Sequence, residues 1–359
     1  MKLRAAGASL FALIATACAT PQYAPGPQPR PGPFPSPEPP RPAPPLRLME
    51  LSELPGWRAD NHAEAFAAFR ATCHVAKDPG TARVCREARA TPPLGAAEAR
   101  HFFEARFRAL GTPGEGVLTA YFAPEYEART RPDAEFSAPV RPKPADLNGG
   151  AYAPRTEIEA RPADDALAWM RPEDLFFLQI QGSGVLTFEG GRRMKALYAA
   201  NNGQPFVAIA NPMRERGLLA RHNTSGEMIR RWLADNRGPA AEEIMRLNPR
   251  YAFFRLAPDD GKQPVGAANV PLPPGRAIAV DLAYHQPGEL HWIDAEAPVL
   301  KGAFPTYRRL VTALDTGGAI KGEVRADLYL GLGPAAGAEA GRVRHTLRMY
   351  RLVPRESRP

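Results

Sequence analysis

Apolar and polar positions recur along this chain at two periods, and each period marks one kind of element. In "NHAEAFAAFRATC" (61–73), Phe66, Phe69 and Cys73 share a face at helical spacing, and Asn61 with Glu64 resembles a capping box, so a helix is predicted. "AAEARHFFEARFRALG" (96–111) shows the same period and is closed by Gly111 with Pro113 beyond, which predicts a second helix. A third is predicted over "SGEMIRRWLADNRG" (225–238), where Ile229, Trp232 and Leu233 lie on one side, followed by the short "AAEEIMRLNP". The remainder reads as short apolar or alternating runs punctuated by Gly, Pro and Asn: "GVLTAYF", "LFFLQIQGSGVLTF", "QPFVAIA", "YAFFRL", "RAIAVDLAY" and "ADLYLGLG". These predict strands, and the chain is expected to be mainly β with a few helices. No βαβ rhythm is visible. The glycines of "GLGPAAG" follow a strand with no amphipathic helix expected after them, which argues against a phosphate loop.

Composition changes the picture most at the start of the chain. Lys2 and Arg4 lead a short apolar core, "LFALIA", too brief to span a bilayer, so residues 1–18 read as an export signal. It ends at "ATAC", where small residues precede Cys18. That is the pattern of a lipoprotein cleavage site with Cys18 acylated, and ordinary secretory cleavage is the alternative. The stretch 19–45 follows; more than half of residues 21–45 are proline, which favours an extended polyproline conformation and a semi-rigid tether. An exported, membrane-anchored lipoprotein on the periplasmic face of an outer membrane is the expectation.

The remaining cysteines are Cys73 and Cys85, which an oxidising compartment would pair; two buried thiols are the alternative. There is no CxxC spacing and only His74 lies near them, so no metal or cofactor is expected. The formal charge of +8 is spread along the chain without the clusters of Lys/Arg and aromatics that nucleic-acid grooves use, so no nucleic-acid partner is expected.

Candidate chemistry lies in two runs. In "LFFLQIQGSG", read as a strand, Phe177, Gln179 and Gln181 project one way and Leu178 and Ile180 the other, which puts two amides about 7 Å apart. Such a row suits hydroxyl- and acetamido-rich ligands such as sugars; a solvated outer strand face reads equally well. Gly182, Ser183 and Gly184 after it would admit a ligand close to the backbone or mark a bulge. "DTGGAIKGEVRAD" carries Asp315 and Asp327 at its ends and no Ser, Cys or His between them, so any chemistry there belongs to a carboxyl group. A carboxyl acting as acid needs a raised pKa, from burial or from a second carboxylate nearby. Asp281, ending the apolar run "AIAV", is a third acid, and aspartates at strand ends also commonly bind backbone amides.

Several motifs in order carry a more specific signal: "GVLTAYFAPEYEA", "YAPRTEIE", "FFLQIQGSG", "NPRYAFF", "VPLPPGRAIAVD" and "DTGGAIKGEVRADLY". Over roughly residues 50–355 the chain resembles the membrane-bound lytic murein transglycosylase A family, including its C-terminal three-aspartate (3D) domain. The resemblance implies a double-psi β-barrel assembled from both chain ends, 46–122 and 259–359, with the 3D domain near 265–355. It also implies an inserted β-rich domain over 123–258 and a glycan groove where the two meet. It implies that Asp281, Asp315 and Asp327 are the three named aspartates, with Asp327 as catalytic acid and Asp315 as its support. Thr119, Tyr121, Gln179, Gln181, Gly182, Ser183 and Asp281 would then contact substrate. The implied reaction cleaves the β-1,4 bond between N-acetylmuramic acid and N-acetylglucosamine with closure of a 1,6-anhydro ring. A lysozyme-like hydrolase and a non-catalytic wall-binding lipoprotein are the alternatives. The implied partners are peptidoglycan strands, a membrane through Cys18, and cell-wall synthesis or division proteins. Phe122 and Ala123 depart from the family pattern, in which tyrosine and glutamate are common.

Overall fold

The predicted first helix forms as α1 (His62–Thr72), and Asn61 Oδ1 accepts a hydrogen bond from the Glu64 amide at 3.2 Å. A computed structural model describes residues 48–220, 225–298 and 304–355. Cys18 and the proline-rich stretch lie outside the described residues. Strand β1 (Leu48–Met49) precedes α1, and α2 (Pro79–Ala90) follows it. No period announced α2, but its start is a favourable one: Pro79 opens the first turn and Asp78 caps it, accepting from the Thr81 amide at 2.7 Å. Cys73 and Cys85 are disulfide-bonded, with their Cα atoms 5.5 Å apart, and the bridge fastens the end of α1 to α2.

Helix α3 (Ala96–Arg106) ends five residues before the predicted Gly111 stop, and Phe107–Gly111 is strand β2. The reason is a buried partner: Phe107 and Ala109 are fully buried, and the segment pairs with the last strand of the chain, Leu352 opposite Ala109. Phe66, Phe69, Phe102, Phe103 and Phe107 pack at aromatic distances, mostly edge to face, into a core shared with Trp57 and Trp292. Truncating one such ring costs about 3–5 kcal/mol.

The central sheet is built from both ends of the chain. Its strands are β3 (Gly116–Ala123), then β10 (Ala277–Ala279), β11 (Leu290–Pro298), β12 (Thr306–Asp315), β13 (Arg325–Leu332) and β14 (Arg344–Pro354). They run in the order β14-β11-β12-β10-β13-β3, and β3 pairs with β14 to close a barrel. The pairs β3 with β13 and β10 with β12 are parallel and the others antiparallel. Leu118, Ile278, Ile293, Val311, Leu328 and Leu347 fill the interior. Closure removes the exposed edges an open sheet would present.

Between β3 and β10 the chain makes a second sheet of β4 (Glu125–Glu127), β7 (Ser183–Thr187), β8 (Arg193–Asn201) and β9 (Ala252–Pro258), in the order β4-β7-β8-β9, and a hairpin of β5 (Ala138–Val140) with β6 (Ala168–Met170). Helices α4 (Arg155–Glu159), α5 (Pro172–Gln181), α6 (Ala210–Glu215), α7 (Gly226–Asp235) and α8 (Pro239–Arg246) belong to this half. The fold is mainly β, as expected. No helix among the described residues is long and apolar enough to cross a membrane.

Four local expectations fail. "LFFLQIQ" is not a strand but α5, which begins at Pro172, carries Glu173 and Asp174 in its first turn and ends at Gly182 in the left-handed conformation at φ 85°. The run looked non-helical because α5 is buried on two sides: Leu175 and Leu178 pack on the sheet, while Phe176 packs among α6, α7 and α8. "QPFVAIA" forms no strand; only Ala277–Ala279 of "RAIAVDLAY" does, since the chain turns at Asp281. A short helix, α9 (Gly333–Ala340), does follow "ADLYLGL", and its Gly337 lies against Phe122, where a methyl group would come 2.7 Å from the ring.

Candidate active site

Strand register assembles the site. Ala279 on β10 pairs with Asp315 on β12 to one side and with Asp327 on β13 to the other, and Asp327 in turn pairs with Thr119 on β3. Four adjacent strands thus set Asp315, Ala279, Asp327 and Thr119 in one row, with a methyl group between the two acids. Tyr121, two residues beyond Thr119, shares its face of the strand and packs on Tyr329 at 5.2 Å between ring centres.

The two acids have different partners. The Thr119 hydroxyl donates to Asp327 Oδ1 and itself accepts from Arg325 Nη2 at 2.9 Å. Asp315 Oδ2 accepts from the Tyr121 hydroxyl at 2.6 Å, and its Oδ1 accepts from the amides of Ala267 at 3.0 Å and Thr316 at 2.9 Å. Burial pushes the Asp327 carboxyl up from its ordinary range; the Thr119 bond and the Arg325 charge oppose this, and the Asp315 charge adds to it. Burial also raises Asp315, against the pull of Tyr121 and the two amides. Asp327 is therefore the acid with one donor and a neighbouring negative charge, the better placed of the two to keep its proton. The Tyr121 hydroxyl, buried beside both acids, is pushed well above the ordinary tyrosine range and stays a donor.

These groups open on a groove of about 700 Å³ whose far wall comes from the second sheet. Thr119, Tyr121, Gln179, Gln181, Gly182 and Ser183 all line it, as do Asp315 and Asp327. The two glutamines reach it from a helix, so they do not form the predicted row. Gln181 Oε1 accepts from the Phe122 amide at 3.4 Å, which fastens the end of α5 to β3. Gln179 is nine-tenths buried, and its amide makes no hydrogen bond of ordinary geometry among the described residues, with the Tyr251 hydroxyl within interacting range.

Asp281 stands apart from the other predicted site residues. It does not line the groove; Oδ2 accepts from the Gly322 amide at 2.9 Å and Oδ1 from the Ala283 amide at 3.2 Å. Those amides, with Lys321 nearby, hold its carboxyl below the ordinary range. It pins the turn between Asp315 and Asp327.

Sequence reasoning missed the far wall. Tyr198 and Asn201 on β8, Arg255 on β9, and Arg250 between α8 and β9 line the groove. Arg250 also touches the turn after Asp315: a methyl group at Gly318 would come 3.2 Å from its guanidinium carbon. "NPRYAFF" contained this arginine, but a single arginine before an apolar strand carries no signal of its own.

Comparison with known proteins agrees with this layout. Residues 117–255 match the MltA specific insert domain and residues 276–353 match the 3D domain. A membrane-bound lytic murein transglycosylase A of Vibrio cholerae is 33% identical over 254 residues, spanning 67% of this chain and 66% of that protein, about two thirds of its length. The membrane-bound lytic murein transglycosylase of Agrobacterium tumefaciens has a crystal structure 30% identical in sequence, with a TM-score of 0.74 over 86% of this chain and 97% of that one. The Escherichia coli MltA structure with bound chitohexaose is 26% identical, with a TM-score of 0.69 over 87% of this chain and 95% of that one. The matched insert and 3D domains meet at the groove that holds Asp315 and Asp327, and by sequence and fold alike this chain belongs to the membrane-bound lytic murein transglycosylase A family of enzymes.

Proposed function

We propose that this protein is a lytic transglycosylase that cuts the β-1,4 bond between N-acetylmuramic acid and N-acetylglucosamine in peptidoglycan, with Asp327 as acid and then base. The protonated carboxyl of Asp327 donates to the glycosidic oxygen as the bond from C1 to that oxygen breaks. The C6 hydroxyl oxygen of the same muramyl residue then bonds to C1 and its proton passes to the Asp327 carboxylate. A 1,6-anhydro ring closes, no water is consumed, and the enzyme returns to its starting state.

One observation carries this reading above the others: Asp315 has both carboxylate oxygens committed, one to the Tyr121 hydroxyl and one to two backbone amides. A hydrolase of the lysozyme kind needs a second carboxylate free to attack C1 or to activate water. With Asp315 so occupied, one carboxyl does the proton transfers and the substrate supplies the nucleophile. A Cys18 lipid anchor and a proline-rich stalk would hold the groove within reach of the wall, on the periplasmic side of an outer membrane.

The test is mass spectrometry of muropeptides released from purified murein by the wild type and by Asp327→Asn. Anhydro-muropeptides from the wild type alone support the proposal. Free reducing ends would replace it with hydrolysis, and murein binding without products from either protein would replace it with a binding role.

A further inference from the structure

Behind the turn that carries the two acids lies a second cluster of titratable groups with a different chemistry. His291, near the start of β11, is fully buried, and neither of its ring nitrogens has a hydrogen-bond partner among the described residues. His285 reaches the same point from the turn after Asp281, its ring perpendicular to that of His291 with centres 4.9 Å apart. Glu289, partly buried, stands between them: its Oε2 is 3.5 Å from His285 Nδ1 and 3.5 Å from His291 Nε2, and that buried oxygen makes no hydrogen bond of ordinary length. We propose that His285, Glu289 and His291 bind one zinc ion that braces the turn between Asp315 and Asp327 from behind.

Distances favour an ion over direct hydrogen bonds. A nitrogen-to-oxygen hydrogen bond usually spans about 2.7–3.2 Å, and 3.5 Å is long. Around a tetrahedral zinc with ligand bonds of about 2.0–2.2 Å, neighbouring donor atoms sit roughly 3.4 Å apart. All three donor atoms lie within 4.8 Å of one another, so small side-chain shifts would bring them onto one ion. The tautomer favours it as well. His285 Nε2 is 2.7 Å from the Glu323 carbonyl oxygen, which only accepts, so Nε2 carries a proton. In the neutral ring the lone pair is then on Nδ1, the atom that faces Glu289. A ligating imidazole held by its other N–H on a backbone carbonyl is the usual arrangement around protein metals.

Charge is balanced locally. Arg351 Nη1 is 3.6 Å from Glu289 Oε1, so it faces the oxygen that the ion does not use. Its positive charge works against a dication, and the Glu289 carboxylate offsets it. Two imidazoles and one carboxylate suit zinc and its late first-row neighbours rather than magnesium or calcium, which prefer oxygen donors throughout.

The placement sets the role. None of the three residues lines the groove, so the ion would touch no substrate. His285 holds Glu323 within the turn, the Gly288 amide donates to the Ala313 carbonyl at 2.8 Å, and the Ala313 amide donates to the Glu289 carbonyl at 2.9 Å, two residues before Asp315. Fixing these side chains therefore fixes the backbone on either side of the reacting acids.

The experiment uses the full chain, stripped with a chelator, reloaded with zinc chloride or cobalt(II) chloride and dialysed. Elemental analysis should give one zinc per chain, cobalt should give the intense visible bands of a tetrahedral site, and zinc should raise the melting temperature of the stripped protein. Glu289→Gln, which keeps the shape but is a poor ligand, should lose the stoichiometric ion, the cobalt bands and the thermal response. His285→Gln should do the same and stands in if Glu289→Gln does not fold. The proposal is overturned if the wild type retains no stoichiometric zinc and shows no thermal response, or if both variants hold zinc as the wild type does. It also fails if neither variant folds and the cobalt-loaded wild type lacks tetrahedral bands.

Discussion

Two pairs of buried acids in this molecule do opposite work. At the start of α5, Glu173 and Asp174 are almost completely buried, and each meets an arginine: Arg237 grips Glu173 through Nε at 3.1 Å and Nη2 at 2.5 Å, and Arg230 Nε lies 2.6 Å from Asp174. On the barrel wall Asp315 and Asp327 meet hydroxyls and amides instead. Burial raises the Asp174 carboxyl as it raises the other two, although Arg230 pulls against it. A raised carboxyl is therefore not by itself the mark of a catalytic acid. What separates the pairs is the partner and the outlook. Asp174 faces fixed cations away from the groove, whereas Asp327 faces one hydroxyl and the groove itself.

Removing the acid on the barrel wall should have the largest effect. Asp327→Asn should lower turnover of murein by about a thousandfold or more, within the range general acid and base catalysis supplies. The same variant should be more stable than the wild type at neutral pH. A folded-state pKa raised above the unfolded value of about 3.9 gives stability that is complete below that value and is lost as pH rises through the folded pKa. Asparagine has no such loss, so the gap in melting temperature should close as the pH falls towards about 4. Equal stability across that range would mean that Asp327 is not held protonated.

Breaking the other pair should cost stability and spare chemistry. Arg237→Ala leaves Glu173 buried without its bidentate partner, and with a third of the arginine exposed the loss should be about 1–2 kcal/mol in chemical denaturation. Turnover per folded molecule should not change. A fall of tenfold or more would show that the start of α5 is coupled to the groove.

The two pairs also differ in how well the sequence reveals them. Asp315 and Asp327 were legible because a strand and a glycine turn each carry a local signature, and the turn offered no other reactive side chain. Their order across β12, β10, β13 and β3 was not legible, since it depends on pairing between residues about two hundred positions apart. Glu173 and Asp174 carry no helix-start signal that stands out, because "LFFLQIQ" alternates like a strand and only burial on two sides of a helix explains so many apolar positions. Gln179 and Gln181 line the groove, but from a helix rather than from the strand their alternation predicts. The arginines and Asn201 of the far wall carry no local pattern and became visible only when the second sheet closed over the barrel. His285, Glu289 and His291 stand close in the sequence but on a turn and a strand, and only the fold shows that their side chains converge.

Smaller changes should grade the contrast between the two acids on the wall. Tyr121→Phe removes one of the three donors that hold Asp315 as a carboxylate. Asp315 should then give up its charge at a higher pH, and turnover should fall by roughly tenfold, the worth of about 1.4 kcal/mol. Asp281→Asn should leave turnover within a few fold, since that acid serves the turn and not the groove.

The finest test is Thr119→Val, because it changes the environment of Asp327 and leaves the carboxyl in place. The Thr119 bond lowers the Asp327 pKa, so its loss should raise it; a bond worth about 1 kcal/mol corresponds to roughly 0.7 of a pH unit. Asp327 must be protonated to donate, so activity is present below its folded pKa and lost above it. Losing the hydroxyl should therefore carry the basic limb of kcat/KM to higher pH by about that amount. A role limited to packing would lower the height of the profile and leave the limb where it was. Movement to lower pH would mean that Arg325, released from Thr119, has moved closer to the acid and that its charge, not the hydroxyl, sets the proton on Asp327.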